Sequence, residues 1–242
     1  MHRFALFLLL ICSPAVAGFS VAQIPAERTG LQYFFVLLKR PAKAPQLSKE
    51  DDEKLQEAHM ANIRRLHSEH KLVIAGPFTD DTTLRGIFVF KADSRSLVDD
   101  WTHTDPAVQA GRLAAEIYGP WIVERGAIYE PETTEGMEQY TLVLLNAENS
   151  SSTPSLANLM DLMTQHATFL HDQTTAGKIA VGGEFLAQDS RPLRGVIIFR
   201  VGADESAKLI QADPIVKAGV LKAEIHPWIT GKGVLAPGQP MQ

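Results

Sequence analysis

Two histidines and two aspartates occupy matching places in this sequence, and their side chains suit proton-transfer chemistry. His59 and His166 are 107 residues apart, and Asp105 and Asp213 each stand directly before a proline. A histidine titrates near neutral pH, so it can take up or release a proton under physiological conditions. A carboxylate within hydrogen-bond distance would fix the tautomer of the ring and raise its basicity. These four residues are therefore the predicted catalytic residues.

The same four residues also have structural interpretations. Leu55 and Ile63, four residues before and after His59, place the ring on the apolar face of a helix, where a backbone carbonyl would satisfy it. An Asp-Pro pair is a good N-cap and first helical turn, which would account for Asp105 and Asp213. A capping carboxylate can also face a pocket, so capping does not exclude a functional role.

Other polar residues give weaker predictions. Arg85 and Arg194 each precede a glycine in matching strands, where they would bind an anionic substrate group or form a salt bridge at the sheet edge. His67 and His70 lie about one helical turn apart, but the second half of the chain lacks both, so no metal site is predicted. The sequence has no serine or cysteine nucleophile motif, phosphate-binding loop, dinucleotide fingerprint or haem motif, so no cofactor is expected.

Composition and the N-terminus limit the function classes. The 242 residues are 45% apolar and carry a formal charge of −5 without a basic cluster, which argues against a nucleic-acid-binding surface. Residues 1–17 are predicted to be a secretory signal peptide, with an apolar run too short to span a membrane and an Ala-Val-Ala cleavage site. Cleavage would remove Cys12, the only cysteine, leaving a secreted or periplasmic protein without disulfides. A lipid anchor at Cys12 is the weaker alternative, because bulky Ile11 precedes it.

The chain is a tandem repeat. The segment "YFFVLLKR" at 33–40 matches "YTLVLLNA" at 140–147, and "LRGIFVF" at 84–90 matches "LRGVIIF" at 193–199. The shift between the copies is 107 to 109 residues and changes only between elements, where loops tolerate insertions. A period this long indicates a duplicated domain rather than a solenoid.

Each copy is predicted to have the order β-α-β-β-α-β, which is the ferredoxin-like arrangement. Ser48 is expected to cap the first helix, while Thr153 and Pro154 are expected to begin its counterpart in the second copy. Trp121 and Trp228 stand in the last strand of each copy and are expected to be core or interface aromatics.

The two copies are predicted to associate within the chain. A sheet with helices on one face leaves the other face bare and apolar, and the second copy would cover it. The protein would then be a monomer that acts as a pseudo-dimer, with a homodimer as the alternative. The predicted boundaries are a repeat over 31–123, a linker over 124–139, a repeat over 140–230 and a disordered tail over 231–242.

Both copies resemble the YciI-like (YCII-related) domain family. Its pattern is a V-L-L strand, a helix with one histidine, an A-G-P turn and a D-P-(hydrophobic)-x-x-G segment before the last strand. The first copy matches with "FVLL", His59, "AGPF", "DPAVQAG" and "EIYGPW", and the second with "LVLL", His166, "GGEF", "DPIVKAG" and "EIHPW". The second copy departs from the pattern at Glu184, where the family has proline.

The resemblance implies an α+β fold of two ferredoxin-like βαββαβ repeats, packed sheet to sheet as an intramolecular dimeric α+β barrel similar to muconolactone isomerases. It also implies a site built on the matched histidine and aspartate of each copy. The chemistry of these residue types, rather than the resemblance, suggests two functions. The first is an isomerase or lyase that moves a proton on a small molecule without a covalent intermediate. The second is a non-catalytic module in which the same pocket binds a small molecule or a partner.

Overall fold

The computed structural model describes residues 32–123, 126–131, 136–147, 154–186 and 190–235. These ranges belong to a single compact unit, Leu31–Gln242. The predicted signal peptide at residues 1–17 lies outside the described residues. None of the helices in the described ranges has both the length and the apolar character needed to cross a membrane.

Two repeated halves with the same order of elements make up the fold. Each half has a strand, a long helix, two strands, a short helix, a single-turn helix and a final strand. The first half consists of β1 (Gln32–Lys39), α1 (Lys49–Ser68), β2 (Leu72–Pro77), β3 (Leu84–Ala92), α2 (Arg95–Thr102), α3 (Pro106–Gln109) and β4 (Ala114–Val123). The second half consists of β5 (Met137–Ala147), α4 (Leu156–Thr175), β6 (Ile179–Phe185), β7 (Leu193–Phe199), α5 (Ala203–Ile210), α6 (Pro214–Lys217) and β8 (Leu221–Gly231).

Serine hydroxyls cap both long helices. The Ser48 side chain accepts a hydrogen bond from the Asp51 amide at the start of α1, as the sequence predicts. In the second half the cap is Ser155, which accepts from the Asn158 amide, so the prediction that Thr153 and Pro154 begin this helix is wrong. Pro154 lies before the helix, and the hydroxyl that reaches the amide three residues onward is that of Ser155.

The eight strands form one antiparallel sheet in the order β2-β3-β1-β4-β6-β7-β5-β8. The halves join where β4 pairs with β6, through the partners Trp121–Phe185, Ile122–Glu184 and Val123–Gly183. The sequence predicts two sheets packed sheet to sheet as a barrel, and the structure adds that the backbone ladder is continuous from one half to the other. The outer strands β2 and β8 approach each other, and an isolated bridge, Phe78–Trp228, and a few hydrogen bonds connect their segments. No ladder pairs these two strands in the described part of the chain, so strand pairing does not close a barrel.

Three apolar clusters lie on the two faces of this sheet. The central cluster takes buried side chains from both halves, and within it the Phe35 ring lies 5.8 Å from Trp121 and 5.9 Å from Phe185. The other two clusters lie under the helices of one half each. The second repeat thus covers the sheet face that the first leaves bare, and burial of this face is the main stabilising contribution that joins the halves.

The two junctions between the halves use the same tryptophan–glycine contact. Trp121 Nε1 donates to the Gly183 carbonyl at 2.9 Å, and Trp228 Nε1 donates to the Gly76 carbonyl at 3.0 Å. A Cβ at Gly183 would lie 1.8 Å from the Ile122 carbonyl oxygen, so the backbones approach too closely for any side chain. Glycine at this position is therefore required by the junction itself.

The segments that follow β4 and β8 also pack together. Ile128 forms an isolated bridge with Leu235, and Val234 and Leu235 are buried in the central cluster. The predicted disordered tail is therefore wrong for residues 231–235, which an apolar pair anchors in the fold, while residues 236–242 lie outside the described residues. The predicted linker 124–139 also ends too late, since β5 already begins at Met137.

Candidate active site

The structure brings His59 and Asp105 into direct contact. His59 lies in the middle of α1, and Asp105 is the N-cap of α3. His59 Nδ1 lies 2.9 Å from Asp105 Oδ1 and 2.7 Å from Oδ2. The aspartate is 0% exposed, and its Oδ1 also accepts the Ala107 amide at 2.8 Å. One carboxylate therefore caps a helix and holds a histidine at the same time.

His166 and Asp213 repeat this arrangement in the second half. His166 lies in α4, and Asp213 is the N-cap of α6. His166 Nδ1 lies 2.6 Å from Asp213 Oδ2, and the Ile215 amide donates to Oδ1 at 3.2 Å. Both side chains are buried, with His166 2% exposed. The single-turn helix before each final strand thus serves to present a carboxylate to the long helix.

These contacts test the structural interpretations of the four residues, which are helix capping by the aspartates and a backbone-carbonyl bond for the histidines. Both aspartates are N-caps as predicted, and neither His59 nor His166 bonds a backbone carbonyl through Nδ1. That arrangement occurs instead at His67, whose Nδ1 lies 3.1 Å from the Leu72 carbonyl oxygen. Among the described residues no group of three or more histidine, cysteine or acidic side chains is placed to hold a metal ion.

The carboxylate contact determines which ring nitrogen is available for chemistry. A neutral histidine whose Nδ1–H donates to a carboxylate carries its lone pair on Nε2. His59 Nε2 has no hydrogen bond to the residues that the structure describes, its side chain is 13% exposed, and its ring stacks on Phe88 with centroids 6.0 Å apart. His166 Nε2 is fully buried without a hydrogen bond in the described part of the chain, and Glu184 Oε1 lies 4.0 Å away.

Each histidine borders a cavity large enough for a small molecule. The first cavity, of about 500 Å³, lies between α1 and the strands β2 and β3, and Thr230 and Gly231 of β8 complete its wall. The second, of about 560 Å³, lies between α4 and β6, and Ile122 and Val123 of β4 complete its wall. Both volumes lie in the range of ligand pockets. The final strand of each repeat therefore walls the cavity of the other repeat.

The two arginines predicted to bind substrate behave differently. Arg85 lines the first cavity, its Nη1 donates to the Leu84 carbonyl at 3.3 Å, and its Nε is buried without a hydrogen-bond partner among the described residues. Arg194 does not line the second cavity, and its Nη1 donates to the carbonyls of Arg191 and Leu193. Of the two arginines, only Arg85 belongs to the described lining of these two cavities.

A third histidine with acidic neighbours was not predicted from the sequence. His226 in β8 is 4% exposed, and its Nδ1 lies 2.5 Å from Asp80 Oδ2 of the first repeat. Its Nε2 lies 3.1 Å from Glu224 Oε1. The His226 ring also packs edge-on against Phe78 at 5.2 Å, so this cluster joins β8 to the segment after β2. The only signal in the sequence is the histidine in "EIHPW", where the first repeat has Tyr118.

Solved structures with a similar fold include chlorite dismutases. A chlorite dismutase from Candidatus Nitrospira defluvii in complex with imidazole aligns with a TM-score of 0.52 at 10% identity, covering 86% of this chain and 93% of that one. A heme-binding protein from Thermus thermophilus aligns with a TM-score of 0.48 at 12% identity, covering 84% and 90%. At such identities the first likeness shows the chlorite dismutase-like, ferredoxin-like fold alone.

The comparison with sequence families supports a closer relationship. No curated protein matches this sequence. The profile of the YCII-related domain family matches residues 33–122 and again residues 140–229. Each match contains one of the two His–Asp pairs and ends in the final strand of its repeat. Because these two matches cover well over half of the chain, the protein belongs to the YCII-related domain family.

Proposed function

We propose that the protein is an isomerase or lyase that moves a proton on a small molecule bound in the cavity beside a His–Asp pair. The observation that supports this most strongly is the His59 ring, held at Nδ1 by a fully buried carboxylate and bordering a cavity of about 500 Å³. Proton transfer by such a pair needs no covalent intermediate. This agrees with the lack of a serine or cysteine nucleophile motif in the sequence.

The proposed chemistry uses His59 as a general base. Its Nε2 takes a proton from a C–H bond beside an electron-withdrawing group, and the bonding electron pair stays with the substrate. The Asp105 carboxylate stabilises the imidazolium that forms. An isomerase then returns the proton to a different atom, whereas a lyase expels a leaving group as the carbon–carbon double bond forms. In either case Arg85 is placed to contact an anionic group of the substrate.

The alternative function is a binding module that holds a small molecule without reaction. The second site favours this alternative in its own repeat, because His166 Nε2 is buried and faces Glu184 rather than open space. Both functions require a ligand in the cavities, and they differ in whether a carbon-bound proton of that ligand is exchanged.

Hydrogen–deuterium exchange tests this difference without knowledge of the product. Small carbon acids that raise the melting temperature are incubated with the protein in D₂O, and loss of the C–H signal is followed by NMR. We expect exchange that falls about 100-fold or more in His59→Gln, the usual contribution of a general base. His103→Gln, an exposed histidine on the surface, is the matched control and should keep the wild-type rate.

Two results would contradict the proposal. Unchanged exchange in the double variant His59→Gln/His166→Gln would show that neither ring is the base. Ligands that bind at the cavities but never exchange would establish the binding module instead.

A further inference from the structure

The two cavities differ strongly in charge. The described lining of the first contains four arginines and one acid, namely Arg40, Arg64, Arg85, Arg112 and Asp52. Arg112 is already engaged, since Nη2 lies 2.7 Å from Asp52 Oδ1 and Nη1 donates to the Pro45 carbonyl at 2.8 Å. The other three arginines form no ion pair with an acid in the described ranges. The first cavity therefore has an excess of positive charge that no described protein group neutralises.

These three cations lie at different depths. Arg40 and Arg64 are exposed, whereas Arg85 is half-buried and its Nε is fully covered without a hydrogen-bond partner among the described residues. A half-buried cation without an ion-pair partner is costly, and a ligand anion against the exposed part of the guanidinium would offset that cost. Arg85 is thus placed for a direct contact, while the exposed pair would attract an anion towards the opening.

The second cavity lacks these cations. Its described lining contains no lysine or arginine, and Ala147 and His171 occupy the sequence positions that correspond to Arg40 and Arg64. The one acidic side chain in that lining is Glu184, which stands where the first repeat has Pro77. The lining of the second cavity therefore carries less positive charge than that of the first, and it carries an acidic side chain next to its histidine.

Glu184 also occupies the space next to the second histidine. Its Oε1 lies 4.0 Å from His166 Nε2, the atom that would face a ligand. A ligand carboxylate approaching that nitrogen would meet the Glu184 carboxylate at short range, where like charges repel strongly. In the first repeat Pro77 presents no charge at the corresponding place.

We propose that the two repeats bind different ligands: the first cavity takes a small molecule with an apolar body and one carboxylate, and the second excludes anions and takes a neutral molecule. Apolar side chains supply the contact for the ligand body in the first cavity, with Phe88 beneath the His59 ring. The proposal rests on the proposed function only in assuming that both cavities are ligand sites. Arg85 would bind the ligand carboxylate in the first cavity, and Glu184 would repel it from the second.

Paired probes test this assignment. The carboxylate 2-naphthoate and its neutral amide, 2-naphthamide, have the same apolar body and differ in charge. Binding is followed by NMR of the ¹⁵N-labelled histidine rings, with His59→Gln and His166→Gln used to assign the two signals. We expect naphthoate to shift the His59 signal at an affinity at least tenfold above that of the amide, and to leave the His166 signal unchanged.

Charge-removing variants then locate the specificity. Arg85→Gln should weaken naphthoate binding at least fivefold without changing amide binding. The control Arg95→Gln removes the same charge from an exposed site on α2, outside the described lining of either cavity, and should change affinity less than twofold. Glu184→Gln should allow naphthoate to shift the His166 signal.

The outcomes separate this proposal from the catalytic one. Equal affinity for the two probes at His59, an equal loss in Arg85→Gln and Arg95→Gln, or no binding of either probe would overturn the anion-specific assignment. So would naphthoate binding beside His166 in the unchanged protein. Anion selectivity without any isotope exchange on any ligand would leave the proposal standing and remove only the proton-transfer step.

Discussion

Replacing Gly183 with alanine should weaken the junction between the repeats. The added Cβ would lie 1.8 Å from the Ile122 carbonyl oxygen, whereas ordinary contacts begin at 3.4 Å. The strands β4 and β6 must therefore separate by roughly 1.6 Å, the difference between these two distances. Such a shift would also break the 2.9 Å hydrogen bond from Trp121 Nε1 to the Gly183 carbonyl.

The size of the effect follows from these two losses. Forcing a methyl group into a packed site costs about 1–3 kcal/mol. Loss of the buried tryptophan hydrogen bond adds about 1 kcal/mol. We therefore expect Gly183→Ala to lower the free energy of unfolding by about 2–4 kcal/mol, out of a total that is typically about 5–15 kcal/mol. For a chain of this size, this corresponds to a fall of roughly 4–16 °C in the melting temperature.

The neighbouring glycine provides a matched control. A Cβ at Gly182 would have its nearest contacts at 3.5 Å, from Ile197 Cγ1 and Leu170 Cδ2, and the first repeat has Ala75 at the corresponding position. Gly182→Ala should therefore stay within about 0.5 kcal/mol of the wild type. Urea unfolding followed by tryptophan fluorescence measures both variants. If Gly183→Ala costs no more than Gly182→Ala, the close approach of the strands cannot be as described.

Two further predictions concern charged groups. Asp105→Ala should lower the free energy of unfolding by about 2–4 kcal/mol, because it removes an N-cap and leaves the His59 Nδ1–H unpaired. Asp105→Asn still caps the helix and should lower it clearly less. Equal losses in urea unfolding would contradict the dual role of the carboxylate. Burial opposes ionisation of Glu116, but hydrogen bonds from Lys39 and Tyr118 outweigh it and lower the pKa of this carboxyl. The ionised Glu116 side chain therefore stabilises the folded protein fully above the unfolded pKa of about 4.3, and this stabilisation fades as the pH falls through the lower folded pKa. Glu116→Gln should thus lower the free energy of unfolding by up to about 1 kcal/mol at pH 7 and by less at pH 3. A loss that stays constant with pH would refute this assignment.

Much of the fold could be predicted because the sequence pattern of each strand and helix occurs in both repeats. The strands, the long helices and the Asp-Pro caps recur at nearly constant spacing, and Asp105 and Asp213 are N-caps as expected. The pairing of β4 with β6 could not be predicted in this way. It depends on backbone contacts between the repeats, such as Trp121 with Phe185, which leave no periodic pattern in the sequence.

The residues of the candidate site could be predicted from the sequence, but the differences between the two copies of the site could not. The matched positions identified both His–Asp pairs, and the structure places each pair in hydrogen-bond contact, while their catalytic role stays a prediction. The departure at Glu184 was visible in the sequence, but its approach to His166 depends on the folded position of β6. The contact between His226 and Asp80 joins residues 146 apart with no matching pair, so comparison of the repeats could not reveal it.

Because each repeat forms part of the wall of the other repeat's cavity, a change in either half of the gene affects both cavities. Thr230 and Gly231 are encoded in the second repeat yet border the first site, and Ile122 and Val123 are encoded in the first repeat yet border the second. A deletion of either half of the gene would therefore damage both sites at once. A substitution in either half can therefore alter the walls of both cavities, and neither half alone retains one complete cavity.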